Sequence, residues 1–126
     1  MVRIFTAAIK GLSKVSVFRQ PLRPFLAAAA VGEGSRAIQR KEYDLAFRVL
    51  SPFAEDEIDD GWVAGCQWQL GYLYYHGLGI TKNEEQAFSL FQKAARAGSS
   101  DAIDYLKRKN AYDKAGHSND APHPTL

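Results

Sequence analysis

Between Leu26 and Tyr112 apolar positions return every three or four residues, in five runs separated by short polar or glycine-bearing breaks. That spacing places apolar side chains on one face of a helix. It predicts helices over residues 26–40, 42–54, 62–76, 83–97 and 101 to about 112, and the two-residue alternation of a half-buried strand is absent. A further run near the N-terminus, Ile4, Phe5, Ala8, Ile9, Leu12 and Val15, predicts an amphipathic helix ended by Pro21. The tail AGHSNDAPHPTL is polar, carries Gly and Pro, and has no apolar period, so it is expected to be loose. Three segments result: a basic N-terminal segment 1–24, a helical domain 25–113 and a polar tail 114–126.

The stretch LGYLYYHGLGITKNEEQAFSLFQKAARAG, Leu70 to Gly98, combines helical patterning with an unusual load of glycine. Gly71 lies inside a helix, where glycine costs roughly 1 kcal/mol relative to alanine. Its presence predicts a facing helix that comes too close for a side chain, and Ala87, Ala94 and Ala95 are small in the next run for the same reason. Gly77 and Gly79 are placed to end the first helix and reverse the chain, since positive φ is cheap only for glycine. Thr81 with Glu84 reads as a capping box, Asn83 as an alternative N-cap, and Glu84 and Glu85 suit the positive end of the new helix. The stretch is a helical hairpin.

Matching residues then recur at fixed offsets. Cys66 and Leu70 are echoed by Ala102 and Leu106, 36 positions on; Ala46, Leu50 and Ala54 are echoed by Ala87, Phe91 and Ala95, 41 positions on. The pattern Leu70, Gly71, Tyr74, Gly77, Gly79, Ile80, followed by Ala87, Phe91, Ala94, Ala95 and Gly98, resembles a Sel-one-like repeat. Upstream, Gly34, Ala37, Tyr43 and Ala46 look more like a plain tetratricopeptide repeat, although Glu33 stands at the usual leucine position and Lys41 at the usual glycine. Residues from Asp101 onward supply only a first helix, fit for a cap. The resemblance implies an all-α fold, a short right-handed α-solenoid of antiparallel helix pairs with about five repeat helices plus the N-terminal one. It also implies an interaction scaffold or adaptor with no chemistry belonging to the fold.

Composition agrees with a single soluble module: 126 residues, 46% hydrophobic and 24% charged. No apolar stretch is long enough to span a bilayer, because FLAAAAVG is short and ends at Glu33. The formal net charge of +2 conceals a segregation of sign. Arg3, Lys10, Lys14, Arg19 and Arg23 precede the first acid, Glu33, while Glu55, Asp56, Glu57, Asp59 and Asp60 form one acidic run. The N-terminal segment reads either as a capping helix or, from its acid-free basic composition, as a segment targeting the protein to an organelle or a membrane surface. A cytoplasmic location is expected, with organelle import or export through that segment as the alternative.

Candidate chemistry is sparse. Cys66 lies on the Leu70 and Tyr74 face of its helix and reads as a small buried residue; as the lone cysteine it excludes an internal disulfide. His76 ends the same helix, where the dipole favours a cation. His117 and His123, with Asp113 and Asp120 nearby, match no metal spacing, and the acidic run lacks the glycine of a Ca²⁺ loop. That run reads as a solvated loop or a docking surface for basic segments. No reading motif for nucleic acid accompanies the basic residues. Neither a catalytic constellation nor a cofactor is expected, and the chain reads as a non-enzyme.

The surplus lies on the helix over 62–76. Cys66, Leu70, Leu73, Tyr74 and Gly77 form a stripe for the core, and Trp68, Tyr72, Tyr75 and His76 form a second stripe on another side. A helix apolar on two sides must be covered on both, and aromatics with polar tips suit binding surfaces. Either a protein or peptide partner covers Trp68, Tyr72, Tyr75 and His76, with Arg108 of the next unit beside them, or the N-terminal helix does. The expected function is therefore a protein-interaction module, with a targeted regulatory or chaperone-like subunit as the alternative.

Overall fold

A computed structural model describes residues 22–116. Five α-helices dominate them: α1 (Arg23–Gln39), α2 (Tyr43–Leu50), α3 (Gly61–His76), α4 (Glu84–Arg96) and α5 (Ser100–Lys114). No strand occurs among the described residues. The second predicted helix breaks early, because Pro52 has no N–H to continue the ladder; Ser51–Phe53 instead form a 3-10 turn. Pro24 is accommodated in the first turn of α1, which starts at Arg23.

Each junction has a local cause. The Asp60 carboxylate accepts hydrogen bonds from the Trp62 and Val63 N–H groups at 2.9 and 3.2 Å and opens α3. Gly77, at φ 66°, closes it, and the N–H groups of Gly77 and Leu78 both return to the Leu73 carbonyl. Asn83 caps α4 by accepting from the Gln86 N–H at 3.0 Å. The capping box expected from Thr81 is not formed, since Asn83 is the residue directly before the helix and Thr81 stands two positions too early. Ser99 opens α5 by accepting from the Ala102 N–H at 3.3 Å.

Between α1 and α2 a tight turn places Lys41 at φ 61°, the only non-glycine residue with positive φ among those described. This is the position where the repeat pattern has glycine. The left-handed conformation costs an L-residue about 1–2 kcal/mol, and the turn retains it because Lys41 and Glu42 N–H groups bond back to Ile38 and Ala37 carbonyls.

α3 is the central element, packed against α1 and α2 on one side and α4 on the other, while α5 packs on α4. α1 and α3 run alongside each other in the same direction: the Cys66 thiol meets the Ala27 carbonyl at 3.4 Å, and Gln69 Nε2 reaches Ser35 Oγ at 2.7 Å. The buried face of α1 is small, Ala27, Ala30, Gly34 and Ala37, which lets α3 approach. Leu50, Leu70, Leu73 and Leu90 fill the core between the pairs, each contributing about 1.5–3 kcal/mol by burial. At the α3/α4 crossing Gly71 faces Phe91 and the Ala87 backbone; a Cβ there would sit 2.5 Å from Phe91 Cε1 and 3.3 Å from the Ala87 carbonyl oxygen.

The acidic connector between α2 and α3 is bound from three sides. Arg23 grips the Asp56 carboxylate with Nε and Nη2 at 3.0 and 2.8 Å, and donates to the Pro52 carbonyl. Its guanidinium also stacks 4.6 Å from the Phe53 ring centroid. From α3, the buried Gln67 donates to the Phe53 and Asp56 carbonyls. From α4, Lys93 pairs with Glu55 at 2.8 Å and reaches the Ala54 carbonyl. The run expected as a solvated loop is thus partly internal, because Asp56 and Asp60 are spent on fixing helices. The basic N-terminal helix expected before Pro21 lies outside the described residues.

Candidate functional site

Trp68, Tyr72, Tyr75 and His76 are all presented by α3, and the structure divides them into two groups. Trp68 lies on Phe91 of α4, with ring centroids 4.8 Å apart, and edge-on to Tyr105 of α5 at 6.3 Å. Tyr75 approaches the same two rings at 6.5 and 6.2 Å. Phe91 and Tyr105, both buried, stack edge to face at 4.9 Å. Trp68 and Tyr75 therefore belong in part to an aromatic cluster that the protein supplies from its own next two helices. Burial, reinforced by the adjacent Tyr75, pushes the Tyr105 phenol well above its ordinary range, so it remains a neutral part of that cluster.

Tyr72 and His76 form the second group, with ring centroids 4.5 Å apart across one helical turn, and Tyr75 joins the two groups by lying edge-on to His76 at 5.0 Å. His76 is exposed and Tyr72 half-exposed. Partial burial, and then the charge of Lys82, lower the His76 pKa from 6.5, so the imidazole is neutral near pH 7. The helix-end cation expected at this position is disfavoured first by that burial and then by Lys82.

Arg108 is exposed on α5 and shares an open depression of about 520 Å³ with Trp68, Asp101, Asp104 and Lys107. Trp68 gives this depression an aromatic edge, and the four charged residues give it both signs. Asp101, Asp104 and Lys107 did not stand out in the sequence, since charged residues on a terminal helix are commonplace. Tyr105 did carry a readable signal: three residues after the small Ala102, it had to share that residue's buried face.

The remaining chemistry is structural. Burial pushes the Cys66 thiol up to about 12, with the Asp56 carboxylate adding to the shift and Arg23 opposing it. A fully buried thiol that donates to a backbone carbonyl is not a nucleophile at neutral pH. Among the described residues no three His, Cys, Asp or Glu side chains are grouped to hold a metal ion, and no helix is long and apolar enough to cross a membrane. His117, Asp120 and His123 lie outside the described residues.

Residues 64–99 match the family model of the Sel1 repeat. The match spans most of α3, the Gly77 to Asn83 reversal and all of α4, ending at the Ser99 cap of α5. Neither a curated protein nor a solved structure matches the chain.

Proposed function

Given that the chain carries a Sel1 repeat over residues 64–99, we propose that it is a protein-interaction module, a short right-handed α-solenoid that acts as an adaptor. Sel1 repeats generally mediate protein–protein contacts, and the repeat is typically non-enzymatic. The observation that carries the reading is the face formed by the first helices of the pairs. Trp68 edges an open depression rimmed by Asp101, Asp104, Lys107 and Arg108, and Tyr72 and His76 stand as an accessible aromatic pair on the same helix as Trp68. Aromatics with polar tips beside a two-signed charged rim suit a peptide or protein segment that inserts an apolar anchor and pairs its flanking charges. A single-sign rim would instead have suited nucleic acid. The site residues of this reading are Trp68, Tyr72, Tyr75, His76 and Arg108, with Tyr72, His76 and Arg108 available to a partner and Trp68 and Tyr75 serving as their backing.

The test compares association and stability in the same variants. Tyr72→Ser with Arg108→Glu is expected to leave the melting temperature nearly unchanged and to remove proteins that co-purify with the tagged full chain, quantified by mass spectrometry. Tyr75→Ser is expected to lower the melting temperature, because its ring backs the buried cluster. Recovery of the same proteins by parent and double variant would rule the face out.

A further inference from the structure

The charges beside Trp68 are sorted along α5 rather than mixed. Asp101 and Asp104 stand near its start and Lys107 and Arg108 about a turn further on, all four exposed and all lining the open depression of about 520 Å³. Asp104 and Arg108 are four positions apart with the acid nearer the N-terminus, the order in which helical ion pairs form most readily. They do not pair. Among the described residues none of the four has an ion pair or a hydrogen bond, whereas Lys109 and Asp113 on the same helix close at 3.2 Å in the less favoured order. The depression thus presents two unspent carboxylates at one end and two unspent cations at the other.

Trp68 stands opposite the middle of this span. Its indole meets the Tyr105 ring at 6.3 Å, and Ala64, one turn earlier on α3, shares a buried cluster with Ala102. Acid, aromatic and base therefore follow one another along about 10 Å, the helical rise from Asp101 to Arg108. In an extended chain the side chains at i, i+2 and i+4 share a side and span about 13 Å, a distance that flexible charged side chains on both partners accommodate. A helix would need eight ordered residues rather than five to make the same three contacts, at a greater loss of conformational freedom. A wholly basic segment would be repelled by Lys107 and Arg108, and a wholly acidic one by Asp101 and Asp104. On the reading of this face as a docking surface, we propose that its occupant is an extended segment of another protein with a basic, an apolar and an acidic residue at alternate positions. The base pairs with Asp101 and Asp104, the apolar side chain lies on Trp68, and the acid pairs with Lys107 and Arg108.

Random heptapeptides displayed on phage, selected on the immobilised full chain, test the pattern. Two variants are selected in parallel, Asp101→Asn with Asp104→Asn and Lys107→Gln with Arg108→Gln, and thermal melts of these exposed substitutions are expected to match the parent. The parent is expected to enrich peptides with a base and an acid four positions apart around an apolar residue. The Asn variant should lose the enrichment of the base alone, and the Gln variant that of the acid alone. A synthetic peptide from the parent pool is expected to bind the Asn variant about fivefold more weakly, the order set by exposed charge pairs. Equal affinity overturns the proposal. Peptides that are lost with Tyr72→Ser and Arg108→Glu but carry one sign of charge, or carry both seven positions apart, overturn the proposed occupant and leave the docking surface standing. No enrichment, or enrichment indifferent to Tyr72→Ser with Arg108→Glu, overturns the docking surface as well. A parent that enriches nothing and elutes as a dimer, made monomeric by Arg108→Glu, overturns the proposal in favour of a second copy.

Discussion

Replacing Gly71 by alanine sets two effects against each other, and the structure decides between them. In a helix interior the change gains about 1 kcal/mol of propensity and removes freedom from the unfolded chain. Against that, the new Cβ would lie 2.5 Å from Cε1 and 2.8 Å from Cδ1 of Phe91. The Phe91 ring has no simple retreat, because Trp68 and Tyr105 lie against it at 4.8 and 4.9 Å. Overpacking of this kind costs about 1–3 kcal/mol, so Gly71→Ala is expected to be destabilising by up to about 2 kcal/mol net, and Gly71→Val by more. Gly32 provides the control: it lies inside α1, and a Cβ there meets only the Arg36 guanidinium, at 3.8 Å. Gly32→Ala is expected to stabilise by about 0.5–1 kcal/mol. Urea unfolding followed by circular dichroism measures both, and each kcal/mol corresponds to about 4–8 °C in a thermal melt for a domain of this size. Phe91→Leu added to Gly71→Ala is expected to cost less than the two changes separately, since the smaller side chain relieves the clash. If Gly71→Ala and Gly32→Ala shift stability in the same direction, the close approach of α3 and α4 is not what selects glycine at position 71.

Lys41→Gly is expected to stabilise the protein by about 0.5–1 kcal/mol, relief of the positive φ outweighing the added freedom of the unfolded chain; a loss in chemical denaturation would contradict it. The Cys66 thiol, pushed up to about 12 by burial, is expected to react with a disulfide reagent only as fast as the native fold opens, so rapid labelling of folded protein would overturn that assignment. For His76, whose folded pKa is lowered from 6.5, the unfolded chain takes up the proton first. Stability is therefore undiminished above pH 6.5 and falls as the pH drops through the folded pKa. His76→Gln is expected to flatten the acid side of a plot of melting temperature against pH, and an unchanged slope would remove the effect.

Local signals were the legible ones. Gly71 announced a close crossing, Gly77 a left-handed helix end, and the three- and four-residue apolar spacing all five helices. The break at Pro52 was also written in the sequence, since proline cannot extend a ladder, but the apolar run around it concealed the interruption. The capping residue of α4 depended on where the helix begins to within two positions, and periodicity alone does not fix a boundary that finely. The aromatic stripe divided for a different reason. Whether Trp68 faces solvent depends on Tyr105, a residue far along the chain on another helix, and spacing within α3 carries no information about it. Asp56 is similar: nothing in a run of acids tells which one Arg23 will hold.

The connector between α2 and α3 bears on how the protein comes apart. A linear array of repeats ordinarily frays from its ends, each unit leaving with only its neighbour's interface broken. Here the segment joining the two helix pairs is held by Arg23 from α1, Gln67 from α3 and Lys93 from α4. Freeing the first pair would strip Arg23 from Asp56 and open Gln67 to water, and freeing the second would strip Lys93 from the same segment. Neither pair can depart without loosening the anchor of the other, so amides in α1, α3 and α4 should exchange with deuterium in a single cooperative opening. The terminal α5, which has no bond to that segment among the contacts described, is left to exchange on its own.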